Sequence, residues 1–239
     1  MGILNKIKSL FNKNDSSDNK ADNWKPAYES DYEGFIGHFN LDQWWEKTFS
    51  EEEKEYIISK KPEVVEGSYN YIDKSPAKYL QELSLWFNTK NDSEISLKLL
   101  NKADEFVDDI VEKHFMYIEM IKTNYKKRNE DEKYYNQAIM ACEKQIQIAD
   151  KVMEEMKKRH YEKGKKILEY RSGEKTLEEV NKDRPFRYSS HRGFKQLAII
   201  KQKEGKYKEV IDLCKKAKEQ GWQGDWDKRI ERAEKKINK

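Results

Sequence analysis

Four histidines, His38, His114, His160 and His191, and two cysteines, Cys142 and Cys214, are the side chains best suited to bind a metal or act as a nucleophile. A helix-borne zinc site needs ligands that project from one turn, as in His-x-x-x-His or closely spaced Cys pairs. None of the six has such a neighbour. A nucleophile also needs an adjacent base and donors for developing charge. The chain has no Gly-x-Ser-x-Gly elbow, no phosphate-cradling glycine loop and no kinase-like signature. Its many Asp and Glu residues could pair anywhere and so indicate nothing. No catalytic, metal or cofactor site is expected, and the protein is read as a non-enzyme. Isolated thiols of this kind read as small core residues.

Basic residues interleaved with aromatics can grip phosphates and stack on bases. Residues 150 to 203 carry Lys157, Lys158, Arg159, Lys163, Lys165, Lys166, Arg171, Arg184, Arg187 and Arg192, with Tyr161, Tyr170, Phe186 and Tyr188 among them. Glu154, Glu155, Glu162, Glu169, Glu178 and Glu179 dilute that field, so nucleic-acid binding stands as an alternative behind protein binding. The net charge of +3 hides a segregation. Residues 29 to 112 hold 20 acidic against 9 basic residues, a balance of −11, so the remainder carries +14. Such a split can orient a partner or align copies of the chain head to tail, and homo-oligomers stay open.

The elements that position these residues follow from composition and spacing. Charged residues make up 39% and apolar ones 36%, near the regime where chains fail to collapse. The 14 Tyr, 9 Phe and 6 Trp oppose that, since each buries a large area from one position. A thin helical body of high surface fits this balance. Pro26, Pro62, Pro76 and Pro185 fall where helices should begin or end. No run of about eighteen apolar residues and no apolar signal segment occurs, so the expected location is cytoplasmic, with a peripheral membrane attachment as the variant.

That variant rests on residues 1–12, where Ile3, Leu4, Ile7, Leu10 and Phe11 share one helical face opposite Lys6 and Lys8. The segment reads as an anchor for a membrane surface or partner, or as a first helix docking on the body. Residues 13–28 are a polar linker, and residues 29–239 form one helical domain. Within 29–111, Asn40 or Asp42 should cap a helix bearing Leu41, Trp44 and Trp45. Ser50 and Glu53 form a capping box for a helix ending before Pro62. After a loop over 62–74, Ser75-Pro76 starts a helix whose buried face holds Leu80, Leu83, Trp86 and Phe87. Asp92 or Ser93 opens the next. The spacing of Ile95, Leu99, Phe106, Ile110, Phe115, Ile118, Ile121 and Tyr125 then predicts one long helix or two abutting ones, with a kink near Asp104.

Two segments repeat. Residues 138–146 read AIMACEKQI and residues 210–218 read VIDLCKKAK, which puts Cys142 and Cys214 at equivalent places. Residues 191–222 resemble a tetratricopeptide repeat (TPR). Phe194, Leu197 and Ala198 stand at its helix A positions, Gly205 and Tyr207 at its turn, and Val210, Ile211, Cys214 and Ala217 on helix B. Trp222 replaces the usual proline. Residues 112–149 form a degenerate copy through Tyr117, Ile121, Ala138, Ile139 and Cys142, with a longer turn, KKRNEDEKYYN. Residues 150–190 form a basic long helix and loop, with a disordered tip near Ser172-Gly173. In 223–239, Asp225 caps a closing helix with Trp226, Ile230, Ala233 and Ile237 on one side.

The resemblance implies an all-α, TPR-like helical-hairpin array, a short right-handed solenoid with a capping helix. It implies a scaffold or adaptor that binds a protein or peptide on its concave face. Mapped onto that geometry, Arg192, Lys195, Gln202 and Lys203, with Lys122, Tyr125 and Lys126 from the first copy, line a basic groove suited to an acidic segment or terminal carboxylate.

Overall fold

A computed structural model describes residues 30–67, 74–173 and 176–238. The amphipathic segment 1–12 and the linker 13–28 lie outside the described residues. Twelve α-helices are found among them, with no strand beyond one isolated bridge between Ser190 and Gln223.

The acidic part comprises α1 (Phe35–His38), α2 (Asp42–Thr48), α3 (Glu51–Lys60), α4 (Pro76–Ser84) and α5 (Ser93–Asp104). Its signals act largely as expected. Ser50 and Glu53 close a reciprocal capping box, and the Ser75 side chain caps α4 with Pro76 in its first turn. Two expectations need correction. Leu41, not Asn40 or Asp42, holds the cap position of α2, because Asn40 takes a left-handed φ of 54° in the tight turn from α1. Trp86 is 54% exposed, because a 3₁₀ turn over Leu85–Phe87 rotates it off the buried face while Phe87 stays inside.

Of the two forms expected for 95–125, one long helix or two abutting ones, the structure has two helices. α5 ends at Asp104, and Asp109 starts α6 (Ile110–Lys127) by accepting the N–H groups of Val111 and Glu112 at 2.9 and 2.8 Å. The turn after α6 is shorter than the sequence suggested. Asp131 caps α7 (Glu132–Gln147), which places the two tyrosines of KKRNEDEKYYN inside the helix and Tyr134 in the core. After α7 come α8 (Ala149–Ser172) and α9 (Leu177–Asp183), then α10 (Arg192–Lys203), α11 (Tyr207–Glu219) and α12 (Trp226–Ile237).

Hairpin α6–α7 packs against hairpin α10–α11 although α8 and α9 intervene in sequence. His114 meets His191 where α6 and α10 start, and Tyr125 meets Lys203 where they end, so the two helices run the same way. α7 runs oppositely between them, with Gln145 at Gly193 and Tyr135 at Glu204. The repeated helices bury matching positions: Ala138, Cys142 and Gln145 on α7, and Val210, Cys214 and Ala217 on α11, all fully enclosed. Two core clusters, one under α1–α7 and one under α8 and α10–α12, share Ile146, Ile148 and Leu213 at their border.

α12 covers the last hairpin with Trp226 and Ala233 buried and Ile230 partly so. The Asp225 carboxylate does not cap its helix as expected. It accepts from Arg229 Nε at 2.7 Å, one turn on, and gives the buried Arg229 its counter-charge. The excursion is held as its own hairpin. Gly164 of α8 lies so close to Val180 of α9 that a Cβ would meet it at 2.8 Å, and Tyr161 donates to Asn181 Oδ1 at 3.0 Å. Arg159 ties α8 to the body through the Asp109 carboxylate and also pairs with Glu155.

Candidate functional site

The seam between α6 and α10 collects the polar chemistry of the second half, at two levels. At its closed end sits a buried cluster. His191 holds the cap position of α10, its Nδ1 accepting the Phe194 N–H at 3.2 Å, which leaves the proton of the neutral ring on Nε2. His114 stacks on the Trp222 indole, with centroids 5.5 Å apart, and His191 meets the same indole edge-on at 4.6 Å. The Gln145 amide binds the layers together. Its Nε2 donates to the His114 carbonyl at 2.9 Å, and its Oε1 accepts the Gly193 N–H at 2.6 Å. Gly193 is required there, since a Cβ would lie 2.9 Å from both the Cys142 carbonyl oxygen and Gln145 Oε1.

Burial sets the protonation of this cluster. Loss of hydration disfavours imidazolium, so His114 falls to about 4. His191 falls to about 3 through the same cause, with His114 beside it as a further depressing influence. Burial likewise pushes the Cys142 thiol up to about 12 and Cys214 up to about 11. Both cysteines are neutral packing groups here, not nucleophiles. Among the described residues no group of three or more His, Cys, Asp or Glu side chains is arranged to hold a metal ion.

The open end of the seam is aromatic and cationic. Lys203 Nζ donates to the Tyr125 hydroxyl at 3.2 Å and lies 5.7 Å from its ring centroid. The Arg128 guanidinium covers the same ring at 4.3 Å and donates to the Tyr125 carbonyl at 2.7 Å. Beside them the Tyr135 hydroxyl donates to Glu204 at 2.7 Å, and burial with that carboxylate raises its pKa to about 12. Glu204 is held below the usual carboxylate range, chiefly by Lys206 at 2.8 Å.

The seven groove residues named from sequence therefore divide. Tyr125 and Lys203 are brought together, and exposed Gln202 adjoins them in sequence. Lys122 pairs within its own helix with Glu119 at 2.8 Å. Lys126 reaches the Asn88 carbonyl at 2.9 Å, toward the acidic part. Lys195 is exposed and helps to lower the pKa of Asp225, at the α12 side. Arg192 is half-buried, with its charge acting on Cys142. Sequence reading missed Arg128, because the turn containing it looked too long to belong to the repeat. It also missed the His114–His191–Trp222 cluster, whose members are far apart in the chain.

No family model, curated protein or solved structure matches this chain. The site is thus defined by its own geometry. No described helix is long and apolar enough to cross a membrane.

Proposed function

We propose that this protein is a non-catalytic scaffold or adaptor that binds a protein or peptide on a TPR-like array, with the open end of the α6–α10 seam as the recognition surface. The observation that carries the reading is the clamp of Arg128 and Lys203 on Tyr125, where two same-direction helices from separate hairpins meet. Among the described residues neither cation has a carboxylate partner within ion-pair distance, whereas neighbouring Lys201 and Lys206 are paired to Glu204. A partner carboxylate supplies the missing anion through charge-assisted hydrogen bonds, and the tyrosine face offers apolar contact. The preferred partner is an acidic peptide segment or terminal carboxylate.

The TPR-like reading is supported by the stacked hairpins, the matching buried triplets on α7 and α11, and the closing helix α12. The neutral, packed thiols of Cys142 and Cys214 and the imidazoles of His114 and His191 support a non-enzymatic role, and the working location is taken as the cytoplasm. Capture from cell extract with the wild-type chain and with Arg128→Glu/Lys203→Glu, the two cations on Tyr125, tests the reading. The reversed protein should lose the partner that the wild type retains, and undiminished capture would remove the seam from consideration. Nucleic-acid binding through residues 150–203 is the second reading, favoured by Lys157 over the Tyr188 ring at 5.0 Å. It requires salt-dependent affinity for DNA or RNA.

A further inference from the structure

Helices α5 and α7 run parallel, and α6 packs antiparallel against both. Lys127 of α6 and Lys133 of α7 meet Glu94 near the start of α5, at 3.3 and 3.9 Å, and Lys113 and Lys144 meet Asp104 at its end, at 3.9 and 3.1 Å. These ion pairs bracket a cleft of about 170 Å³ lined by Asn101 of α5, Met120 and Asn124 of α6, and Gln137, Met140 and Lys144 of α7. The cleft is smaller than the range of about 300–1,000 Å³ usual for drug-sized ligands and suits one side chain with its flanking main chain.

Asn124 is 4% exposed, and its amide is only half satisfied. Its Nδ2 donates to the Met120 carbonyl one turn back at 3.0 Å, while its buried Oδ1 has no hydrogen-bond donor among the described residues. A buried acceptor without a donor is costly, and a leucine would fill similar space without that cost. Because Nδ2 is fixed on its own helix, Oδ1 is turned away from that carbonyl. The cleft that Asn124 lines is the side from which a donor can reach it. Met140, 57% exposed and unbranched, can swing to admit one.

The remaining lining defines the donor's chemistry. Lys144, the one charged residue among those lining the cleft, is held by Asp104. Asn101 and Gln137 are exposed carboxamides, and the two methionines are polarizable apolar walls. A carboxamide carries donor and acceptor side by side, as a peptide bond does, so this set matches main-chain amides on either side of one apolar side chain. A charged group there would find no counter-charge.

We infer that the α5–α7 cleft is a second peptide site, taking an extended, uncharged segment. A main-chain N–H of that segment donates to Asn124 Oδ1, and a leucine-like side chain lies between Met120 and Met140. This site is separate from the α6–α10 seam, which is cationic and lies on the other flank of α7.

The test titrates the full chain with the capped pentapeptide acetyl-Gly-Ser-Leu-Ser-Gly-amide and follows it by NMR. The side-chain amides of Asn101, Asn124 and Gln137 and the methyl groups of Met120 and Met140 should shift together and saturate. N-methyl groups on the leucine and the following serine remove the flanking donors and should weaken binding at least about fivefold. Asn124→Leu should weaken the parent peptide likewise. Met140→Glu, at an exposed position outside the core, should abolish binding, and Lys203→Glu should leave it unchanged. Equal affinity of the N-methylated peptide, shifts spread beyond the cleft, or binding retained in Met140→Glu would each overturn the proposal. Loss of binding with Lys203→Glu would overturn it in favour of the seam, and equal affinity for acetyl-leucine methylamide in favour of a small amide ligand.

Discussion

The imidazole rings of His114 and His191 lie 5.1 Å apart in the core, and the Trp222 indole contacts both. The pair joins the first helix of one hairpin to the first helix of the next at the point where the chain re-enters after α8 and α9. The neighbouring Gln223 N–H to Ser189 carbonyl bond, at 2.9 Å, closes that re-entry.

This pair makes stability depend on pH in a defined window. Unfolded, each ring titrates near 6.5; folded, they do so at about 4 and about 3. Below 6.5 the unfolded chain takes up protons that the folded chain refuses. Their contribution is therefore whole above pH 6.5 and is lost progressively down to the folded values. At pH 5 each ring should have cost about 2 kcal/mol, seen as a lower urea midpoint. The facing groups are His114, His191, Trp222 and the Gln145 amide and backbone, with Arg192 adjacent on α10. His191→Asn keeps a capping acceptor and removes one titration. It should shrink the loss between pH 7 and pH 5 by about half.

Much of the fold was legible because its signals are local. Ser50 with Glu53, and Ser75 with Pro76, lie within four residues of each other and report backbone needs that tertiary packing did not override. Cys142 and Cys214 were readable as equivalents because both sit on the inward face of a second helix. What failed depended on contacts distant in sequence. Nothing near His114 announces that its partners are Gln145, His191 and Trp222. Trp86 fits an apolar helical face by spacing, but the helix changes pitch before reaching it. The α6–α7 turn was misjudged because tyrosines in a polar run read as loop until Asp131 is seen to cap the helix that holds them. Of the predicted groove, the structure unites Tyr125 and Lys203, since the repeat register fixes where helices end but not which way long side chains turn.

Asp109 serves two elements, and its replacement should show both. It caps α6 through two backbone N–H groups and accepts from Arg159 of α8, which holds its carboxyl below the usual range. Asp109→Ala should cost about 1–2 kcal/mol in denaturant unfolding. Asp109→Asn should restore most of that, because Asn is an equally good cap. Arg159→Ala, at an exposed pair, should cost about 1 kcal/mol or less and speed amide exchange in α8 more than in α6.

Two glycines separate packing from backbone strain. Gly193→Ala drives a methyl group against the Cys142 carbonyl and Gln145 and should push α10 off α7, at about 1–3 kcal/mol. Gly205→Ala meets nothing within 4 Å but must hold a φ of 74°, at about 1–2 kcal/mol. Only the first should alter the near-ultraviolet signal of Trp222, which lies beside the seam.

The proposed recognition surface can be probed by photo-crosslinking. A benzophenone side chain at exposed Gln202, beside Lys203, should label the bound partner, and Lys203→Glu in the same chain should abolish that label. The same group at exposed Lys228 on α12 should give none. Labelling from Lys228 but not Gln202, or labelling from Gln202 that persists with Lys203→Glu, would contradict the assignment of the α6–α10 seam as the binding site.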